Sequence, residues 1–145
     1  MKIILLIILF IASATLPIQI CGQNVEVFIH SFRSTQGQVI VSVFKDNPTF
    51  QEEKPFLTKT LKKSDMVNGI LKTTFTLPAG VYGMALLDDE NSDKVMKYNF
   101  LGIPQEGFGF SNYVHKTLSR PVFSDFDFTV TENKPCKVVM TVQYF

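Results

Sequence analysis

From Val25 onward the chain alternates apolar and polar positions with a period of two almost throughout, and it shows no apolar stripe at helical spacing. Val25, Val27 and Ile29 alternate with Glu26, Phe28 and His30, and Val39, Val41 and Val43 with Gln38, Ile40 and Ser42. Ser34-Thr35-Gln36-Gly37 is the turn between these two runs. Leu71, Thr73, Phe75 and Leu77 form a third, and Pro78-Ala79-Gly80 reverses the chain before the apolar stretch Val81 to Leu87. Near the end, Phe126, Phe128 and Val130 share one face, Glu132-Asn133-Lys134-Pro135 turns, and Val138, Met140, Val142 and Tyr144 share the next. Phe56 to Lys63 is a weaker strand, closed by a turn at Asn68-Gly69. Lys54, Lys59, Lys62 and Lys63 read there as the charged trim of a sheet edge.

About seven short strands, each with one apolar face, predict an all-β fold. The expected architecture is a single-domain antiparallel β-sandwich of immunoglobulin-like or prealbumin-like kind, with a small β-barrel as the alternative.

Composition narrows the function classes. A chain that is 46% hydrophobic and 19% charged is not disordered, and 14 basic against 13 acidic residues disfavour nucleic acid or a polybasic membrane contact as partner. Two cysteines are too few for a disulfide scaffold. Lys2, the apolar run Ile3 to Ile11, and the smaller residues Ala12 to Thr15 follow the order of a secretory signal peptide. Pro17 and Gln19 interrupt the run before it reaches the roughly 20 apolar residues of a spanning helix. The division expected is therefore a signal peptide over residues 1–22 and a β-sandwich domain over 23–145, exported to the periplasm, the cell surface or the medium. Lipidation of Cys21 is the minority alternative, since Ile20 stands where a lipid-attachment site wants a small residue, and it is the one reading that brings membrane contact. Without residues 1–22 the formal charge falls from +1 to 0 and Cys136 is the only cysteine left. Stability must then come from the core, which about 120 residues can supply without staples.

Two segments break the alternation: the acidic run Asp88-Asp89-Glu90-Asn91-Ser92-Asp93, and Asn99 to Asn112 with its Glu106-Gly107-Phe108-Gly109-Phe110. Together they make a long connection, and connections longer than about 15 residues are often functional. Here the chain resembles a known family. Leu77-Pro78-Ala79-Gly80-Val81-Tyr82, Asp89-Glu90-Asn91, Asn99-Phe100-Leu101-Gly102-Ile103-Pro104, Glu106 to Asn112 and Pro121 look like the bacterial domain of unknown function 2141 family. The resemblance implies an exported bacterial β-sandwich and assigns no activity.

The family's acidic loop has the look of a short calcium loop, and the matching positions here run from Asp88 to Lys97. Asp89, Asn91 and Asp93 keep the alternate spacing that aims oxygens at one point, and Asp88 adds a further oxygen. Lys94 replaces the turning glycine, Lys97 replaces an acid, and Phe100 stands where a closing glutamate would be. These departures favour a solvated acidic turn, against which Asp88, Asp89, Asn91 and Asp93 stand as candidate Ca²⁺ ligands.

The aromatic-glycine segment offers a second candidate, a stacking platform of Phe108 and Phe110 with Asn99, Ser111, Asn112 and Tyr113 as hydrogen-bonding neighbours. The simpler account has the glycines permit unusual backbone angles while the rings plug one end of the sandwich. Enzyme signatures are missing: no Gly-x-Ser-x-Gly, no His-Glu-x-x-His, no phosphate loop and no paired-cysteine spacing. The expectation is a non-catalytic module with an unidentified envelope or extracellular ligand. A hydrolase using Asp88 and His115, with Ser111 in the same cleft, is the competing class.

Overall fold

The computed structural model describes residues 22–145. The signal peptide expected over 1–22, and the lipidation alternative at Cys21, lie outside the described residues apart from Gly22.

Eight strands form in chain order: β1 (Gln23–His30), β2 (Gln38–Phe44), β3 (Leu57–Lys62), β4 (Leu71–Leu77), β5 (Gly80–Asp89), β6 (Gly107–Phe110), β7 (Asp127–Val130) and β8 (Cys136–Thr141). One short helix, α1 (Asn47–Gln51), follows β2. Its start is set by Asp46, whose carboxylate accepts from the Thr49 N–H at 2.8 Å, and by Pro48 in the first turn.

The strands make two open sheets, an all-β sandwich and not a closed barrel. The smaller has the order β4-β1-β8 and the larger β3-β2-β5-β6, with β7 sharing the β5 edge. β6 takes that edge from Ala85 to Asp88 and β7 takes it from Gly80 to Gly83. All pairings between strands are antiparallel except β1 with β8. The inward sets Val25, Val27 and Ile29 on β1, Val39, Val41 and Val43 on β2, and Met84 and Leu86 on β5 meet in one core, completed by Leu71, Phe75, Val138 and Met140. Burying each such side chain stabilises by about 1.5–3 kcal/mol.

The turn signals mark reversals of the chain, as expected, but most of those reversals are corners between sheets. Only β2 with β3 and β5 with β6 pair strands that are consecutive in sequence. The segment after β1 at Ser34 to Gly37 carries the chain from the smaller sheet to the larger, and Pro78-Ala79 does the same before β5.

The strand beyond the expected seven is β6, which lies inside the segment read as a long connection. Its glycines are there for close approach: an ideal Cβ on Gly109 would sit 2.6 Å from the Thr141 carbonyl, and one on Gly107 would sit 2.5 Å from the Tyr144 ring. The end of β8 and the chain that follows it cross at that spot, where Phe108 bridges Gln143 and Ser111 bridges Met140, joining the two sheets.

Phe108 and Phe110 point to the opposite side, onto the outer face of the larger sheet. There they build a second apolar cluster with Phe44, Phe50, Phe123 and Phe126, under α1 and the turn at Phe123–Asp125. Both rings are largely buried in this cluster, which covers a sheet face of the sandwich.

Candidate functional site

β5 ends in two aspartates, and successive strand residues point to opposite faces. Asp88 and Asp89 therefore serve different surroundings. Asp88 turns inward and is fully buried beside an equally buried Lys63, whose ammonium pairs with Asp88 Oδ1. The Tyr144 hydroxyl donates to Asp88 Oδ2 at 2.5 Å and accepts from the Arg33 N–H at 3.1 Å. Burial, and then the Asp88 hydrogen bond, push the Tyr144 phenol far above its ordinary range. Lys63 was expected as edge trim with its lysine neighbours; the short 3-10 turn Lys63–Asp65 instead carries it under the sheet. Asp88 is thus committed to an internal ion pair and is separated from the other acidic-loop residues by the strand's own alternation.

Asp89 faces outward at the same strand end. Its Oδ1 accepts from the Asp93 N–H and its Oδ2 from the Lys94 N–H, both at 3.0 Å, and Gln38 Nε2 donates to Oδ2 at 2.7 Å. These bonds wrap the loop around the Asp89 carboxylate. Asn91 supports Asp93: its Oδ1 accepts from the Asp93 N–H and its Nδ2 donates to Asp93 Oδ2, each at 3.0 Å. Asp93 Oδ1 accepts from the Val95 N–H at 3.0 Å, while Oδ2 also meets the Lys97 ammonium. The Lys97 pairing and the Val95 bond hold the Asp93 carboxyl below the usual carboxylate range. Next to this loop Glu90 takes a separate partner, Arg33, at 2.6 Å, and that pairing holds its carboxyl low.

The residue that sequence reasoning missed is Glu106. β6 pairs with β5 so that Gly107 faces Asp88, and one further step of the same register sets Glu106 across from Asp89. One carboxylate oxygen from each of Asp89, Asp93 and Glu106 lies within 4.8 Å of the others. Glu106 is only 7% exposed, and neither of its carboxylate oxygens has a hydrogen-bond partner among the described residues. Burial, reinforced by Asp89 and Asp93, pushes its carboxyl above the ordinary range. The sequence signal that could have found it is the Gly-Phe-Gly-Phe alternation: taken as a strand on β5, it brings the preceding acid to the strand end.

The other expected ligand residues do internal work. Asn99 Oδ1 accepts from Leu101 N–H at 2.9 Å and from Ile103 N–H at 3.0 Å, shaping a small turn. The Ser111 hydroxyl is buried, accepting from Met84 N–H at 2.9 Å and donating to the Phe126 carbonyl at 2.5 Å. Asn112 Oδ1 accepts from Val139 N–H at 2.9 Å. The Tyr113 hydroxyl reaches His115 Nδ1 at 3.3 Å, and Nε2 of that ring donates to the Ser119 carbonyl. Among the described residues, none of the Asp88 hydrogen bonds goes to His115, and Ser111 bonds to neither. Cys136 is half-buried and unpaired, its thiol pushed up by burial.

What this end of the molecule does open is a groove. It has a volume of about 400 Å³ and lies between the 96–104 and 115–121 segments. Phe50, Phe108 and Phe110 floor it, with Met96, Tyr98 and Leu118 on its walls and Arg120 among its lining. The Arg120 guanidinium stacks over the Phe50 ring at 4.7 Å and pairs with Glu53 at 3.0 Å. Beside the groove, Phe100 is 95% exposed and Leu101 also stands in solvent.

Fold and site together define an all-β sandwich with an acidic strand end and an aromatic groove on one outer face. The chain belongs to the family described as "Uncharacterized protein conserved in bacteria (DUF2141)", which it matches over residues 27–138. No curated protein and no solved structure matches it.

Proposed function

We propose that this protein is an exported, non-catalytic β-sandwich module that binds a small ligand with an apolar body and an anionic group in the outer-face groove. The observation that carries this reading is the aromatic-floored groove itself, since concave, mostly apolar sites with few polar groups are the usual form of small-ligand sites. Arg120 lines the groove and supports an anionic group that takes the place of its exposed partner Glu53, and the exposed Phe100 and Leu101 support an interaction surface beside the opening. The engagement of Ser111 and His115 in internal hydrogen bonds supports a binding role over a hydrolytic one. The pattern of residues 2–22 supports export to the envelope or beyond it. Calcium at the acidic loop is not required for this reading.

A fluorescence titration of the purified protein with anilinonaphthalene sulfonate, an aromatic anion, tests it. The expected result is a saturable, single-site enhancement that is abolished by Leu118→Glu and weakened at least about tenfold by Arg120→Ala, the latter loss being about 1.4 kcal/mol. A signal that rises without saturation, or that both variants leave unchanged, would overturn the groove reading.

A further inference from the structure

Glu106 poses a problem that the fold alone does not solve. Two acids placed directly across a strand pair repel each other, and a buried carboxylate keeps its charge only when paired or coordinated. Yet Glu106 is buried opposite Asp89, with Asp93 as a third acid, and its own oxygens are unpartnered among the described residues. Every other carboxylate at this end has a partner: Asp88 has Lys63 and Tyr144, Glu90 has Arg33 and Ser34, Asp89 has backbone N–H groups, and Asp93 has Lys97. Arg33 is spent on Glu90, and Lys97, with its half-exposed side chain, reaches Asp93.

We propose that Asp89, Asp93 and Glu106 hold a calcium ion, for which the Lys97 ammonium is a tethered competitor. All three groups offer hard oxygen donors, the preference of calcium, and an exposed Asp93 leaves one side open for the water ligands that complete six to eight positions. The backbone bonds to Asp89 and Asp93 use only part of each carboxylate, so the loop stays wrapped when an ion binds. Asp88 and Asn91 are outside the set, the first by its inward direction and the second by its role in positioning Asp93. The ion ties together both ends of the 93–106 segment, which supplies Met96 and Tyr98 to the groove wall. This inference stands apart from the groove reading, because the dye titration does not use it.

The test is isothermal titration of the purified protein with calcium chloride after chelator treatment, paired with thermal unfolding in calcium and in chelator. Saturating calcium, at about 100 times Kd, is expected to raise the unfolding midpoint by roughly 10 °C. Glu106→Gln is expected to weaken binding by at least about tenfold while unfolding in chelator no earlier than the parent, because it removes a buried unpaired charge. Lys97→Met is expected to tighten binding several-fold by removing the competitor. No heat and no midpoint shift in either the parent or Lys97→Met at about 10 millimolar calcium, roughly ten times the dissociation constant of the weakest extracellular calcium modules, would overturn the proposal. So would a Glu106→Gln protein that binds as the parent does, or a larger midpoint shift with magnesium than with calcium.

Discussion

Lys63 and Asp88 place two opposite charges in the same buried space, with Tyr144 completing the arrangement. A buried pair of this kind is weak evidence for stability, but losing one member is costly because the other is left uncompensated. Asp88→Ala is therefore expected to lower unfolding stability by about 3–5 kcal/mol, read from urea denaturation. The double variant Lys63→Met, Asp88→Leu is expected to recover most of that loss, since well-packed apolar residues replace such pairs at little cost. At this scale the sequence was only partly legible. Asp88 beside Asp89 looked like one acidic loop, and strand alternation divides them; Lys63 looked like one of several edge lysines, and nothing local marks it as the one that turns inward. Glu106 carried no spacing signal toward the acidic loop, because its proximity to Asp89 comes from strand pairing across 17 positions of sequence.

Among the elements, β6 is the most informative. Glycine usually weakens a strand, and so Gly107 to Phe110 resembled a loop. The alternation was nevertheless present: small residues face the crossing chain and large ones face the aromatic cluster. Gly109→Ala is expected to cost about 1–3 kcal/mol, because the added carbon meets a backbone carbonyl that has no rotamer to escape into. A thermal midpoint within one degree of the parent would mean that the crossing can widen freely. The valine-rich strands were readable for the opposite reason. Val39, Val41 and Val43 pack on one face only, so period two in the sequence translates directly into burial. Turn residues were legible as reversals, but a reversal does not say whether the next strand lies in the same sheet. That depends on which apolar faces must meet, and the choice is made over the whole chain.

In the molecule as a whole, the first strand lies at the centre of the smaller sheet, with β4 on one side and the last strand, β8, on the other. Its register with β8 runs from Val25 against Cys136 to His30 against Thr141. Removing residues 136–145 should leave β1 with a bare edge and strip Val138, Met140 and Val142 from the core. The expected outcome is loss of any cooperative transition in calorimetry; a sharp transition in the truncated chain would show that the larger sheet folds by itself. The order of synthesis gives this pairing a further meaning. Of the described strands, a chain emerging from the ribosome presents β1 first and its partner β8 last, so the small sheet cannot close until all the other strands have been made. Pairings so distant in sequence form slowly, on the order of milliseconds to seconds. The smaller sheet is thus the late-closing half of the sandwich, because its central strand waits for Cys136–Thr141, whereas the larger sheet draws on none of that strand.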